Sequence, residues 1–267
     1  MALAPHPLAL PRNLVASLQP FPLSTLSPIY PPPSSACSIA TAKRSNAAMG
    51  SSSSVIARAS SSSSTNPSTD GFDESAVGAL ADVQILASST GQPVFLKDLW
   101  DQKEGIAVVA LLRHFGCICC WELASELKEL IPRFESAGVK LIAIGVGTPD
   151  NARILAEGLP FPLDYLYADP DRKAYNVLGL YYGFGRTFFN PASAKVFSRF
   201  SSIRKAGKNY TLSATPQDRS SVLQQGGMLV FKGKELLYAR KDEGTGDHAP
   251  LEDVLNICCK VPAAQPT

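Results

Sequence analysis

Cys117, Ile118, Cys119 and Cys120 lie directly behind an apolar run, Gly105 to Leu112, and directly ahead of a stretch with helical apolar spacing. A strand that delivers a Cys-x-x-Cys pair onto a helix start suits redox chemistry. The unpaired backbone N–H groups and the positive end of the helix dipole stabilise a thiolate there. Arg113 and His114 stand close ahead, and a nearby cation lowers a thiol pKa further. The expected chemistry is thiol–disulfide exchange: Cys117, the more exposed sulfur, attacks, and Cys120 resolves the mixed disulfide. Cys119 is a third thiol, so two pairings are open, although neighbours such as 119 and 120 bridge only with strain. Glu122 is the nearest carboxylate and a candidate proton shuttle. Two blander readings stand beside this one. The cysteines could be small buried hydrophobes at the start of a core helix. They could also be metal ligands, though Cys258–Cys259 lacks the two-residue spacer of zinc pairs. Neither a metal nor a cofactor is expected.

The elements that must position these residues follow from periodicity. Val83–Leu86 and Val94–Leu96 flank Ser88-Ser89-Thr90-Gly91, a hairpin pattern. Gly105–Leu112 is short and continuously apolar, which predicts a strand buried on both faces. Leu123, Leu127, Leu130, Ile131 and Phe134 recur at helical spacing, with a kink or break expected at Pro132 and a stop at Gly138. Val139–Val146 predicts a second central strand. Thr148-Pro149-Asp150 then supplies a cap, a first-position proline and an acid for a helix reaching Gly158. Asp169-Pro170 repeats that logic for a short helix through Tyr175 and Leu178. Residues 181–225 are the least regular part; Asn190-Pro191 could open a helix with Val196, Phe200 and Ile203 on one face and Gly207 as its stop. Met228–Phe231 and Glu235–Ala239 around Lys232-Gly233-Lys234 predict a hairpin, and a closing helix runs from Pro250 to Cys258.

The first stretch has a different character. No acidic residue precedes Asp70, serine dominates, and Pro31-Pro32-Pro33 is low-complexity. Residues 1–59 read as a plastid transit peptide with a cut near Ala59, residues 60–75 as a flexible linker, and residues 76–262 as the folded domain. The expected location is the chloroplast, in the stroma. Four of the 25 Lys+Arg precede residue 60, leaving 21 against 23 acids, so the overall +2 gives no argument for nucleic-acid binding. No apolar stretch reaches the roughly 18 residues that a membrane-spanning helix needs. Between Tyr181 and Gln225 lie seven basic residues and one acid, Asp218, a pattern open to weak membrane-surface contact as well as to a solvated helix face. Asp247-His248 can be read as an acid–base pair or as caps of the last helix, and Cys258 or Cys259 as a distal resolving thiol.

Leu112-Arg113-His114-Phe115-Gly116-Cys117-Ile118-Cys119-Cys120-Trp121-Glu122 resembles the peroxiredoxin-like, thioredoxin-fold family related to alkyl-hydroperoxide reductase and thiol-specific antioxidant enzymes. Further matches are Leu159-Pro160-Phe161-Pro162, Ala168-Asp169-Pro170-Asp171-Arg172, Leu178-Gly179-Leu180, Gln225-Gly226-Gly227 and Gly246-Asp247-His248. The similarity covers the chain after residue 76 and is greatest to plant plastid thioredoxin-like members. It implies an α/β, thioredoxin-like fold: a central mixed sheet with a parallel βαβ half and an antiparallel ββα half, flanked by helices. It also implies an antioxidant or reductase role, with Cys117 and Cys120 on the motif cysteines and Arg113, Cys119 and Glu122 in support. Electrons would come from a thiol donor of the thioredoxin, glutaredoxin or glutathione type. One animal branch suggests a lipid peroxide or endoperoxide as alternative substrate; a non-catalytic redox-sensing or binding module is a further alternative. The chain departs from the family's Pro-x-x-x-Thr-x-x-Cys, since superposing Thr-x-x-Cys on Cys117–Cys120 puts Cys117 in the threonine place. Gln225 and Gly226 stand where a peroxiredoxin arginine is expected, and thioredoxin's cis-proline before the same strand is missing.

Overall fold

A computed structural model describes residues 72–260. The expected leader, its cut near Ala59, and the expected linker up to residue 71 lie outside the described residues. Seven strands and eight α-helices occur in the described part. In chain order they are α1 (Glu74–Leu80), β1 (Gln84–Ala87), β2 (Pro93–Phe95), β3 (Ile106–His114), α2 (Ile118–Ser136), β4 (Val139–Val146), α3 (Pro149–Gly158) and β5 (Leu166–Ala168). Then follow α4 (Lys173–Val177), α5 (Phe184–Phe188), α6 (Lys195–Ser198), α7 (Phe200–Ala206), β6 (Gly227–Lys232), β7 (Glu235–Lys241) and α8 (Leu251–Lys260).

The strands form one sheet in the order β2-β1-β5-β4-β3-β6-β7. β3 pairs parallel with β4 and antiparallel with β6, while β4 pairs parallel with β5. The unit β3-α2-β4 is thus the parallel half and β6-β7-α8 the antiparallel half of a thioredoxin-like fold, with the β1–β2 hairpin added through β5.

Every residue of β3 is buried, because strand alternation sends its side chains into two cores. Ile106, Val108, Ala110 and Leu112 meet the apolar stripes of α2, α3 and α8 (Leu127, Leu155 and Val254 among them). Ala107, Val109 and Leu111 face the other core, with Leu80 of α1 and Tyr175 of α4. Each large aliphatic side chain so enclosed contributes about 1.5–3 kcal/mol. A Leu127→Ala truncation in the α2 stripe would cost about 2–5 kcal/mol.

Two details at the carboxyl end of β3 position the site. Opposite β4, Leu111 pairs with Ile144 but His114 with Val146, so β3 carries one extra residue there. A bulge of this kind resets the alternation of side chains and re-aims the next ones. Tyr175 then bridges the parted strands: its hydroxyl donates to the Leu112 carbonyl at 2.5 Å and lies 3.1 Å from that of Ile144.

Most of the predicted elements are present. The corrections have physical causes. α2 runs through Pro132 to Ser136 without a break, since the stripe Leu127, Ile131, Phe134 is buried on both sides of it. The helix expected from Asn190 is three short pieces: a 3-10 turn over Pro191–Ala194, then α6 and α7, parted at Arg199. Val196 and Ile203 pack on the core, whereas Phe200 points outward. Asp169 does cap α4, accepting from Lys173 N and Ala174 N at 3.0 and 2.8 Å, but from beyond an intervening left-handed Arg172.

Candidate active site

Cys117 is the cap residue of α2, as the spacing predicts, but its sulfur does not accept from the N–H groups of the first turn. It turns instead toward Arg113, whose Nη1 lies 3.4 Å away. The bulge makes this meeting geometrically available. The guanidinium is held from two sides: Nε donates to the Gln224 carbonyl at 3.0 Å and Nη2 to that of Val222 at 2.7 Å. A planar, permanently charged fork fixed this way leaves one edge for the sulfur. The backbone N–H of Arg113 also donates to Cys120 Sγ at 3.3 Å, so one residue addresses both motif cysteines.

The three thiols are electrostatically unequal. Cys119 and Cys120 hydrogen-bond to the Cys117 sulfur and draw its pKa well below the ordinary thiol value; burial opposes them, and the permanent Arg113 charge reinforces them. Cys120 is pushed well above that value by burial and by donating to Cys117. Cys119 is raised by its hydrogen bond to Cys117 and then by burial. Cys117 is therefore the thiol most readily ionised, and Cys119 and Cys120 the two that hold their protons. Such a division suits an attacking thiolate next to a thiol that keeps its proton until needed. All three are free and buried, so the exposure expected for Cys117 is not realised: it is 6% accessible.

What covers it is the irregular segment. The Tyr210 hydroxyl donates to the Gly116 carbonyl at 2.6 Å, and its ring stands edge-on to Trp121, whose Nε1 donates to the Phe115 carbonyl at 2.6 Å. Thr215 packs so tightly on Gly116 that a Cβ there would lie 2.6 Å from the Thr215 Cα. At its base the segment is closed by antiparallel bonds: Gln225 N to the Tyr181 carbonyl at 2.9 Å and Gly183 N to that of Leu223 at 3.1 Å. Arg113 docks on this neck through Val222 and Gln224, so cover and cysteines share one anchor.

The other sequence candidates separate. His114 is buried, with Nδ1 unpartnered, and burial lowers its pKa, so the ring is neutral at neutral pH. Glu122 is buried beside Arg199, Nη1 to Oε2 at 3.4 Å, and its carboxyl pKa is raised by burial. Its charge acts on Cys119, whose pKa it helps to raise. Asp247 and His248 do not pair with each other. Asp247 holds Lys195 at 2.7 Å and Arg240 at 2.8 Å. His248 Nδ1 lies 2.9 Å from Asp242 Oδ2, and its Nε2 lies 3.2 Å from the Cys119 carbonyl, which can only accept. Burial works against the charged ring, but Asp242 outweighs it and the His248 pKa rises. Cys258 lies buried in the last turns of α8, and burial pushes its thiol up to about 12.

The sequence reading missed the Val222 and Gln224 carbonyls, the covering Tyr210 and Thr215, and Asp242. Backbone acceptors carry no signature of residue type. Asp242 lies six residues before His248 across a turn, and no spacing rule links them.

The chain is similar to known proteins over most of the described residues. A family model described as AhpC/TSA antioxidant enzyme matches residues 126–244, from within α2 to just past β7. The Arabidopsis thaliana protein named thioredoxin-like protein AAED1, chloroplastic, is 32% identical over 191 residues, covering 71% of this chain and 75% of its own length. A Salmo salar protein named prostamide/prostaglandin F synthase is 30% identical over 191 residues, 68% of this chain and 88% of its own. Among solved structures, peroxidoxin BcpB from Mycobacterium tuberculosis aligns with a TM-score of 0.48 at 15% identity, covering 68% of this chain and 95% of its own. With a strand–cysteine–helix corner built on a thioredoxin-like sheet, and relatives at this identity along most of their length, the chain belongs to the AhpC/TSA antioxidant-enzyme family.

Proposed function

We propose that this chain is a thiol–disulfide oxidoreductase in which Cys117 is the nucleophile and Cys120 the resolving thiol. The observation that carries the reading is the Arg113 guanidinium 3.4 Å from a Cys117 sulfur whose pKa the neighbouring thiols draw down. With a peroxide, the Cys117 thiolate attacks one oxygen, the O–O bond breaks, and the leaving alkoxide takes a proton. The resulting sulfenic acid condenses with the Cys120 thiol, releasing water and forming the disulfide. A dithiol donor of thioredoxin type, or glutaredoxin or glutathione, then reduces that bond. With a disulfide substrate Cys117 attacks one sulfur and expels the other as a thiolate, and Cys120 then attacks the Cys117 sulfur of the mixed disulfide and releases the second substrate thiol. Arg113 stabilises the thiolate; Cys119 and Glu122 act in support. Chloroplast residence, in the stroma, is part of the proposal, supported by the name of the Arabidopsis relative and by the acid-free, serine-rich start.

A second substrate is favoured by the relatives named prostamide/prostaglandin F synthases: a lipid endoperoxide. Attack by Cys117 on one oxygen leaves the other as an alkoxide, and the second alcohol is freed when Cys120 attacks the sulfur. Both routes consume two electrons and end at the same disulfide. The test is single replacement of each thiol with donor-coupled turnover of hydrogen peroxide, a lipid endoperoxide and insulin disulfides. Cys117→Ser should abolish every turnover, and Cys120→Ser should stop at one equivalent of adduct. Wild-type protein that turns over none of these with any thiol donor refutes the proposal.

A further inference from the structure

We infer that the segment 184–212 is a docking surface for an anionic lipid bilayer. Among the described residues, every exposed large hydrophobic except Phe95 falls between Tyr182 and Leu212. Phe197, Phe189, Leu212 and Phe200 are 82%, 75%, 72% and 67% accessible, on short helices and turns that cost little to present them. Phe184 packs at a tilt against Phe188 and Phe189, ring centres 4.7 and 5.6 Å apart, so three rings form one cluster. Exposed apolar side chains concentrated in one segment mark an interaction site.

Charge selects the partner. From Tyr181 to Gln217 the chain carries Arg186, Lys195, Arg199, Arg204, Lys205 and Lys208 and no acid. Lys195 and Arg199 are spent on the buried carboxylates Asp247 and Glu122. Arg186 pairs with the exposed Glu243 and lies over the Tyr181 ring, and Lys205 pairs with the exposed Glu129; ion pairs of this kind loosen readily in water and salt. Arg204 and Lys208 take part in no ion pair among the described residues. Cations interleaved with bare phenylalanines match the two layers of a membrane surface: headgroup phosphates outside, acyl chains a few ångströms further in. No helix among the described residues is long and apolar enough to cross a membrane. The inference stands independently of the redox reading, because binding needs no turnover. It adds one consequence: the segment that covers Gly116 is the one that would rest on lipid.

The experiment is co-sedimentation of the full chain with vesicles of phosphatidylcholine alone and of phosphatidylcholine with phosphatidylglycerol. The expected result is binding to the anionic vesicles, weakening as salt is raised. Phe197→Ser with Phe200→Ser, and separately Arg204→Glu with Lys208→Glu, should each weaken it by about tenfold or more. Phe95→Ser, an exposed ring outside the segment, should leave it unchanged. Three outcomes overturn the inference. Wild-type chain does not sediment with anionic vesicles; or both pairs of replacements bind like wild type, which assigns the contact elsewhere in the chain; or the wild type ignores vesicles but self-associates until the phenylalanines are replaced, which makes the surface a contact between copies.

Discussion

Two helix ends in this protein carry cysteines, and they treat sulfur oppositely. At the start of α2, Cys117 sits beside a fixed guanidinium and two donating thiols, and its pKa falls. Near the end of α8, Cys258 is just as buried but has no cation beside it, and burial pushes it up to about 12. Burial alone protonates a thiol; what reverses the sign is a charge and hydrogen-bond donors aimed at the sulfur. Position on a helix contributes less than expected, since Cys117 makes no hydrogen bond to the first-turn N–H groups.

The sharpest way to test the contrast is alkylation across pH. Wild type should show a phase with a midpoint well below the usual thiol range, which Cys117→Ser removes entirely and Cys258→Ser leaves intact, read by mass spectrometry. Arg113→Met comes next. Losing a charge-assisted hydrogen bond is worth about 1.5–3 kcal/mol, so the midpoint of Cys117 alkylation should move up by about one pH unit or more. The same replacement strands the Val222 and Gln224 carbonyls, so the thermal midpoint should drop too.

Gly116→Ala probes the cover rather than the charge. The added methyl meets Thr215 backbone, and overpacking of this kind costs about 1–3 kcal/mol. Urea unfolding should show that loss, and if the segment lifts instead of straining, Cys117 alkylation should become faster. The smallest effect is expected at His248. Its folded pKa is raised above the ordinary 6.5, so its contribution to stability is complete below that pH and disappears as pH climbs through the folded value. His248→Gln should flatten this part of the stability profile, read by urea unfolding across pH.

How much of this was legible depends on the kind of interaction. The buried strand at Gly105–Leu112, the α2 stripe, the Thr148 cap and the Lys232-Gly233-Lys234 hairpin are local patterns, and the structure has all of them. Cys117 and Cys120 could be named from spacing, and Arg113 from proximity. The partners that hold Arg113 come from 109 and 111 residues further along and are backbone carbonyls, which no residue pattern reveals. The register change in β3 is equally invisible, because Leu111 to His114 reads as continuous strand. Between Tyr181 and Gln225, helical spacing was overridden by packing: of Val196, Phe200 and Ile203 only the first and last found the core, and the chain breaks at Arg199 between them.

The extra residue near the end of β3 has a bearing on how such a protein can lose its chemistry. Removing one position there would restore regular pairing beyond Leu111 and rotate Arg113 to the opposite side of the sheet. The hydrophobic layers would survive, as would every cysteine. A single-codon deletion could thus silence the sulfur while leaving a sound scaffold, so relatives that keep Cys-x-x-Cys are best judged by the length of the chain just before it.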